Sequence, residues 1–171
     1  MNDDLLATYL NDHLAGSVVA IELLSRLADN ADGGSPRKQE VIELQKEITT
    51  DQDLLKKLLE SRSSGQSTVK KAGAWVMEKV TRAKLHLAES TDAGLGEVEA
   101  LEVLSLGIAG KKGLWEVLQD VLPESEFPGN PWAKLIQSAD EQRAKVERWR
   151  MEAARTAFMP PPGNACEHFQ K

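Results

Sequence analysis

Hydrophobic positions recur three and four residues apart along most of this chain, the period of helices that bury one face. From Asp3 to Asp29, Leu6, Leu10, Leu14, Ala20, Ile21, Leu24, Leu27 and Ala28 fall on one arc. His13 lies within that arc, and Glu22 points the other way. Asn2, Asp3 and Asp4 are capping candidates at its start, and the turn from Asn30 to Gly34 ends it. Ser35-Pro36 opens a second helix, with serine as the cap and proline in the first turn. This helix reaches Ser61 and buries Val41, Leu44, Ile48, Leu55, Leu58 and Leu59, with Asp51 inside the arc and Glu47 at its edge. A shorter amphipathic segment, Ser67 to Ala88, is bounded by Ser63-Ser64-Gly65 and by Ser90 to Gly94. A further helix, Leu95 to Leu122, is apolar over more than half its circumference yet carries Lys111 within that surface. Its first stripe holds Leu101, Leu104, Ile108, Trp115, Leu118 and Leu122. An adjoining stripe holds Val103, Leu106, Gly107, Gly110, Leu114, Val117 and Val121. Gly107 and Gly110 predict a neighbouring helix at close approach. After Pro123 and the turn Pro128-Gly129-Asn130-Pro131, a last helix spans Trp132 to Phe158. Leu135, Ile136, Ala139, Val146, Trp149, Ala153 and Ala157 form its buried stripe, with Arg143 and Arg150 in it.

Four long helices with one shorter segment between the pairs predict an all-α protein, an antiparallel four-helix bundle of two hairpins with a connector helix. The domain covers residues 1–158, and residues 159–171 form a Pro-rich tail expected to be extended or mobile. A chain of 171 residues is long enough for one real core. Its net charge of −6, from 21 basic and 27 acidic residues, argues against generic nucleic-acid binding. No long apolar run spans a membrane, and the acidic start MNDDLLATYL lacks the basic-then-apolar order of a signal peptide. The single Cys166 excludes an intramolecular disulfide. Together these features place the expected protein in the cytoplasm.

The polar interruptions carry the candidate chemistry. His13, Asp51, Lys111 and Arg143 each lie near the middle of their own helix. Folding the first hairpin brings His13 and Asp51 to one level, and folding the second does the same for Lys111 and Arg143. A mid-bundle polar network is therefore expected, because an unpaired buried charge costs several kcal/mol. The competing expectation is that Lys111 and Arg143 bury their stems and wet their heads at helix seams. Trp75 projects away from the connector's stripe of Val69, Ala72, Val76, Val80 and Leu87, and suits packing or a subunit interface. Trp115 beside Lys111 marks inter-helix space where a buried cation could hold a carboxylate ligand. Lys70, Lys71, Lys79, Arg82 and Lys84 make one side of the connector basic, which reads as a solvated face. Cys166 and His168 offer only two metal ligands, in the tail. Gly107-Ile108-Ala109-Gly110 falls inside a helix with no preceding strand, so it is no phosphate loop.

Three stretches carry a family resemblance: Tyr9-Leu10-Asn11-Asp12-His13-Leu14-Ala15-Gly16, Ala74-Trp75-Val76-Met77-Glu78-Lys79, and Leu101-Glu102 followed by Leu106-Gly107-Ile108-Ala109-Gly110-Lys111 and Leu114-Trp115. With the helix order, they resemble the ferritin-like superfamily over nearly the whole chain, and within it small bacterial proteins of mostly unassigned function. The resemblance implies a di-iron or di-manganese site built from inward carboxylates on all four helices and two Glu-x-x-His pairs. No Glu-x-x-His occurs here, and Lys111 and Arg143 stand where ligands belong. The expectation is thus a bundle that has lost its metals, with no cofactor, acting as a non-enzymatic structural or interaction protein and as a homodimer. His13, Glu47 and Asp51 are the residues left for a degenerate metal site. The alternatives are a metal-binding oxidoreductase or iron-handling stress protein, and a binder of small acidic ligands.

Overall fold

The computed structural model describes residues 2–62, 93–123, 125 and 131–159. Among them the chain forms four helices and no strand: α1 (Asp3–Asn30), α2 (Pro36–Arg62), α3 (Ala93–Val121) and α4 (Trp132–Phe158). No helix among the described residues is long and apolar enough to cross a membrane. The connector expected at Ser67 to Ala88, with Trp75 and the basic residues, lies outside the described residues, as does the tail with Cys166 and His168.

The helix ends follow local chemistry. The Asn2 side chain accepts from the Leu5 amide at 3.2 Å, and Asp3 and Asp4 place negative charge in the first turn, where the helix dipole favours it. The Ser35 hydroxyl accepts from the Lys38 amide at 3.2 Å, capping α2 just before Pro36. Gly34 between them has φ +78°, a left-handed conformation that glycine adopts without strain.

Side-chain contacts fix the helix directions. Gln45 donates to the Ile21 carbonyl at 3.1 Å, and Gln52, two turns on, donates to Ser17 at 3.0 Å. One number rises as the other falls, so α1 and α2 run in opposite directions. Arg150 to Glu102 and Lys112 to Asp140 give α3 and α4 the same relation. Arg37 to Glu152, then Lys145 to Glu47, set α4 against α2. Arg37 also pairs with Glu97, and Asp51 with Lys111. Those numbers rise together, so α2 and α3 run the same way. The end of α2 and the start of α3 therefore lie at opposite ends of the molecule. For a helix of 27 residues at 1.5 Å rise, that is roughly 40 Å.

The core has two apolar halves. One gathers Leu24, Leu44, Ile48, Leu101, Leu104 and Trp149. The other gathers Leu10, Leu58, Leu114, Trp115, Leu118 and Trp132, with the Trp115 and Trp132 rings stacked at 5.9 Å. Arg37 lies 4.5 Å over the Trp149 ring, and the indole N–H of Trp149 donates to Glu40 at 2.9 Å, so α2 and α4 are clasped at the first half.

Two expectations need correction. Arg143 is not in the buried stripe of α4. That stripe runs Trp132, Ala139, Gln142, Val146, Trp149 and Ala153, alternating three and four residues. Arg143 lies one residue further, about 100° around the helix, and is exposed. The second correction concerns the helical glycines. A Cβ at Gly107 or Gly16 would meet nothing within 4 Å, and one at Gly110 would meet only His13 Cε1 at 4.0 Å. Among the described residues these glycines border open space, and no neighbouring backbone approaches them.

Candidate functional site

Between the two apolar halves lies a polar layer. Asp51 of α2, Lys111 of α3 and Gln142 of α4 enter it from three helices. The Lys111 ammonium donates to the Asp51 carboxylate and, at 2.5 Å, to the Gln142 side-chain carbonyl. The Lys111 and Asp51 side chains are 13% and 10% exposed, so this ion pair is almost wholly removed from water. The Gln142 amide passes the connection on, donating to Glu47 at 3.0 Å and to Ser138 at 3.1 Å. Lys145 closes the far end, 3.1 Å from the other Glu47 oxygen. Two cations and two anions are thus linked through one amide.

Burial pulls the Lys111 pKa below the usual lysine value, against the opposing attraction of Asp51 and Glu47. The ammonium sits there because it has an anion and a carbonyl in contact. Removing Asp51 would strand the ammonium away from water, and removing the Gln142 carbonyl would cost it a hydrogen bond.

The sequence-nominated residues separate into two groups. Asp51 and Lys111 meet directly, and Glu47 joins them through Gln142. Arg143 belongs elsewhere: its Nε donates to Ser105 at 3.4 Å, on the seam between α3 and α4. Ser105, itself buried, donates to Glu147 at 2.5 Å, and Arg150 grips the other Glu147 oxygen at 2.7 Å. Hydrogen bonds from Arg150 and then Ser105 hold the Glu147 carboxyl below the usual carboxylate range. His13 stands on the α1 side, packed edge-to-face on Tyr9 at 4.7 Å. Desolvation pulls its pKa below the ordinary histidine value, partly countered by Asp12. Gln142 is the functional residue that sequence reasoning missed. Its signal was the three-four alternation of Ala139, Gln142, Val146 and Trp149.

Beside the polar layer, among α1, α2 and α3, is a cavity of about 230 Å³ open to solvent. Gly16, Gly107 and Gly110 form part of its wall, and Ile48, Leu55, Ile108 and Trp115 supply apolar surface. Its polar groups are His13, Ser17, Gln52, Asp51, Lys111 and Asp12. The Trp115 indole nitrogen is buried without a hydrogen-bond partner among the described residues.

The di-metal site implied by the resemblance does not fit these residues. One Asp51 oxygen is bonded to the Lys111 ammonium, and both Glu47 oxygens are bonded, to Gln142 and Lys145. Among the described residues no group of three or more His, Cys, Asp or Glu could hold a metal ion. A cation already fixed between the carboxylates would repel a second one.

The fold and site define an all-helical protein with an ion pair at its centre. No protein-family model, no curated protein and no solved structure matches the chain.

Proposed function

We propose that this chain is a non-enzymatic bundle of ferritin-like design in which an internal ion pair does the positional work of the lost di-metal site. In this reading the chain has a structural or interaction role and acts as a homodimer. One observation carries it: the Lys111 ammonium lies between Asp51 of α2 and Gln142 of α4. A bridging metal ties carboxylates from different helices together, and Lys111 ties α2, α3 and α4 at the same central level. The parallel course of α2 and α3 supports the design, since ferritin-like bundles join these helices by a long crossover. The interaction role is supported by α3, where Val103, Leu106, Val117 and Val121 are 40–70% exposed on one side.

Elemental analysis of untagged protein, after incubation with ferrous and manganous ions and desalting, tests the reading. Less than about a tenth of an equivalent of metal per chain is expected. Binding of about one or two equivalents, lost on Asp51→Asn, would overturn it in favour of a metal-dependent oxidoreductase or iron-handling protein. Light scattering on the eluting peak checks the dimer.

A further inference from the structure

We infer that the cavity beside the polar layer is a binding site for a small uncharged molecule, largely apolar, that presents one hydrogen-bond acceptor. Size sets the first limit. A cavity of about 150 Å³ is enough for benzene, and this one measures about 230 Å³, room for a ring with one small substituent. Its shape is held from both sides. The neighbouring polar layer pins α2 to α3, and His13 is fixed by its packing on Tyr9. The space persists because three wall positions carry no side chain, and among the described residues nothing reaches within 4 Å of where a Cβ would stand at Gly16 or Gly107.

Charge sets the second limit. The Lys111 positive charge is already balanced by Asp51 in direct contact. A carboxylate ligand would enter beside Asp51 and Asp12, both on the wall, and an ammonium ligand would face Lys111. Because the pair is neutral in sum, either ligand would gain no net attraction from it and would still lose hydration on entering. Hydrogen bonding sets the third. An ammonium has three N–H groups, and Lys111 commits two of them, to Asp51 and Gln142. Among the described residues nothing else accepts from it, which leaves the third for an acceptor on the ligand, while Ile48, Leu55 and Ile108 contact its apolar body.

Benzamide, benzoate and benzylamine share a ring and differ in charge. Each is titrated into the full-length protein at neutral pH, with calorimetry and two-dimensional amide NMR as readouts. Benzamide is expected to bind saturably, at least about tenfold tighter than either charged probe, a difference of about 1.4 kcal/mol. Its shifts should centre on residues 13–20 and 107–115. Gly107→Leu fills the space and should abolish benzamide binding, with an unchanged helical spectrum and an unlowered melting temperature. Gly16→Leu is the second variant should the first fail to fold. Absence of saturable benzamide binding overturns the inference, as does binding that survives both fillings. Tightest binding by benzoate also overturns it, and would restore the acidic ligand suggested by the sequence.

Discussion

The two sides of the central layer of this bundle are built on opposite principles. Towards α4 every polar group is engaged: Lys111, Gln142, Glu47 and Lys145 form a continuous chain of contacts. Towards α1 the same layer opens on glycines and empty volume. The difference teaches that one ion pair serves two neighbours. It fastens three helices on one side and forms the polar end of a cavity on the other. It also explains how a bundle tolerates a hole at mid-height, where a fourth helix would ordinarily contribute packing. The cross-link through α2, α3 and α4 holds the layer together without α1.

The sharpest way to break this contrast is to remove the cation. Lys111→Met leaves Asp51 buried without a partner and is expected to cost about 3–5 kcal/mol in urea unfolding. Lys111→Met combined with Asp51→Leu should recover most of that loss, because the pair is then replaced by apolar groups. A double variant as unstable as the single one would mean that the pair fastens nothing by its charge. Gln142→Leu cuts the same chain at its amide, and a loss of about 1–3 kcal/mol is expected. Arg143→Ala, one residue away but exposed, should stay within about 0.5 kcal/mol of the parent. Equal effects at the two positions would refute the assignment of the layer.

On the open side the sign reverses. Gly16→Ala and Gly107→Ala add a methyl group where nothing among the described residues lies within 4 Å, and each should raise stability by about 0.5–1 kcal/mol through helix propensity. A destabilised alanine variant would show that the glycines are packing contacts after all. The smallest effect concerns His13, whose folded-state pKa is lowered by burial. The unfolded chain takes up the proton first as pH falls. The contribution of His13 is therefore complete above its unfolded pKa of about 6.5 and is lost progressively below it, down to the lowered folded value. His13→Gln should flatten the stability profile below about pH 6.5, measured by urea midpoints.

Much of this architecture was legible in the sequence because helix ends are decided locally. Asn2, Ser35-Pro36 and Pro131 mark boundaries that agree with the observed helices to within a residue or two. Asp51 and Lys111 were legible as charges inside apolar arcs. Gln142 was not, although on a wheel of about 100° steps it falls between Val146 and Trp149, inside the arc. An uncharged amide does not stand out in an apolar stripe as a charge does, so Arg143, at the edge of the arc, drew the assignment instead. The cavity was illegible for a different reason. A helical glycine permits either close approach or open space, and the outcome depends on where the other three helices settle. No residue near Gly107 encodes that by itself.

The common direction of α2 and α3 has a consequence for how the chain reaches its native state. The contacts between α1 and α2, and between α3 and α4, close over short stretches of sequence and can form early. The Asp51–Lys111 contact closes over 60 residues, and with it comes a larger entropic cost of bringing distant segments together. Folding would then have two tempos: fast formation of each hairpin, and a slower docking step that brings the ammonium to its carboxylate.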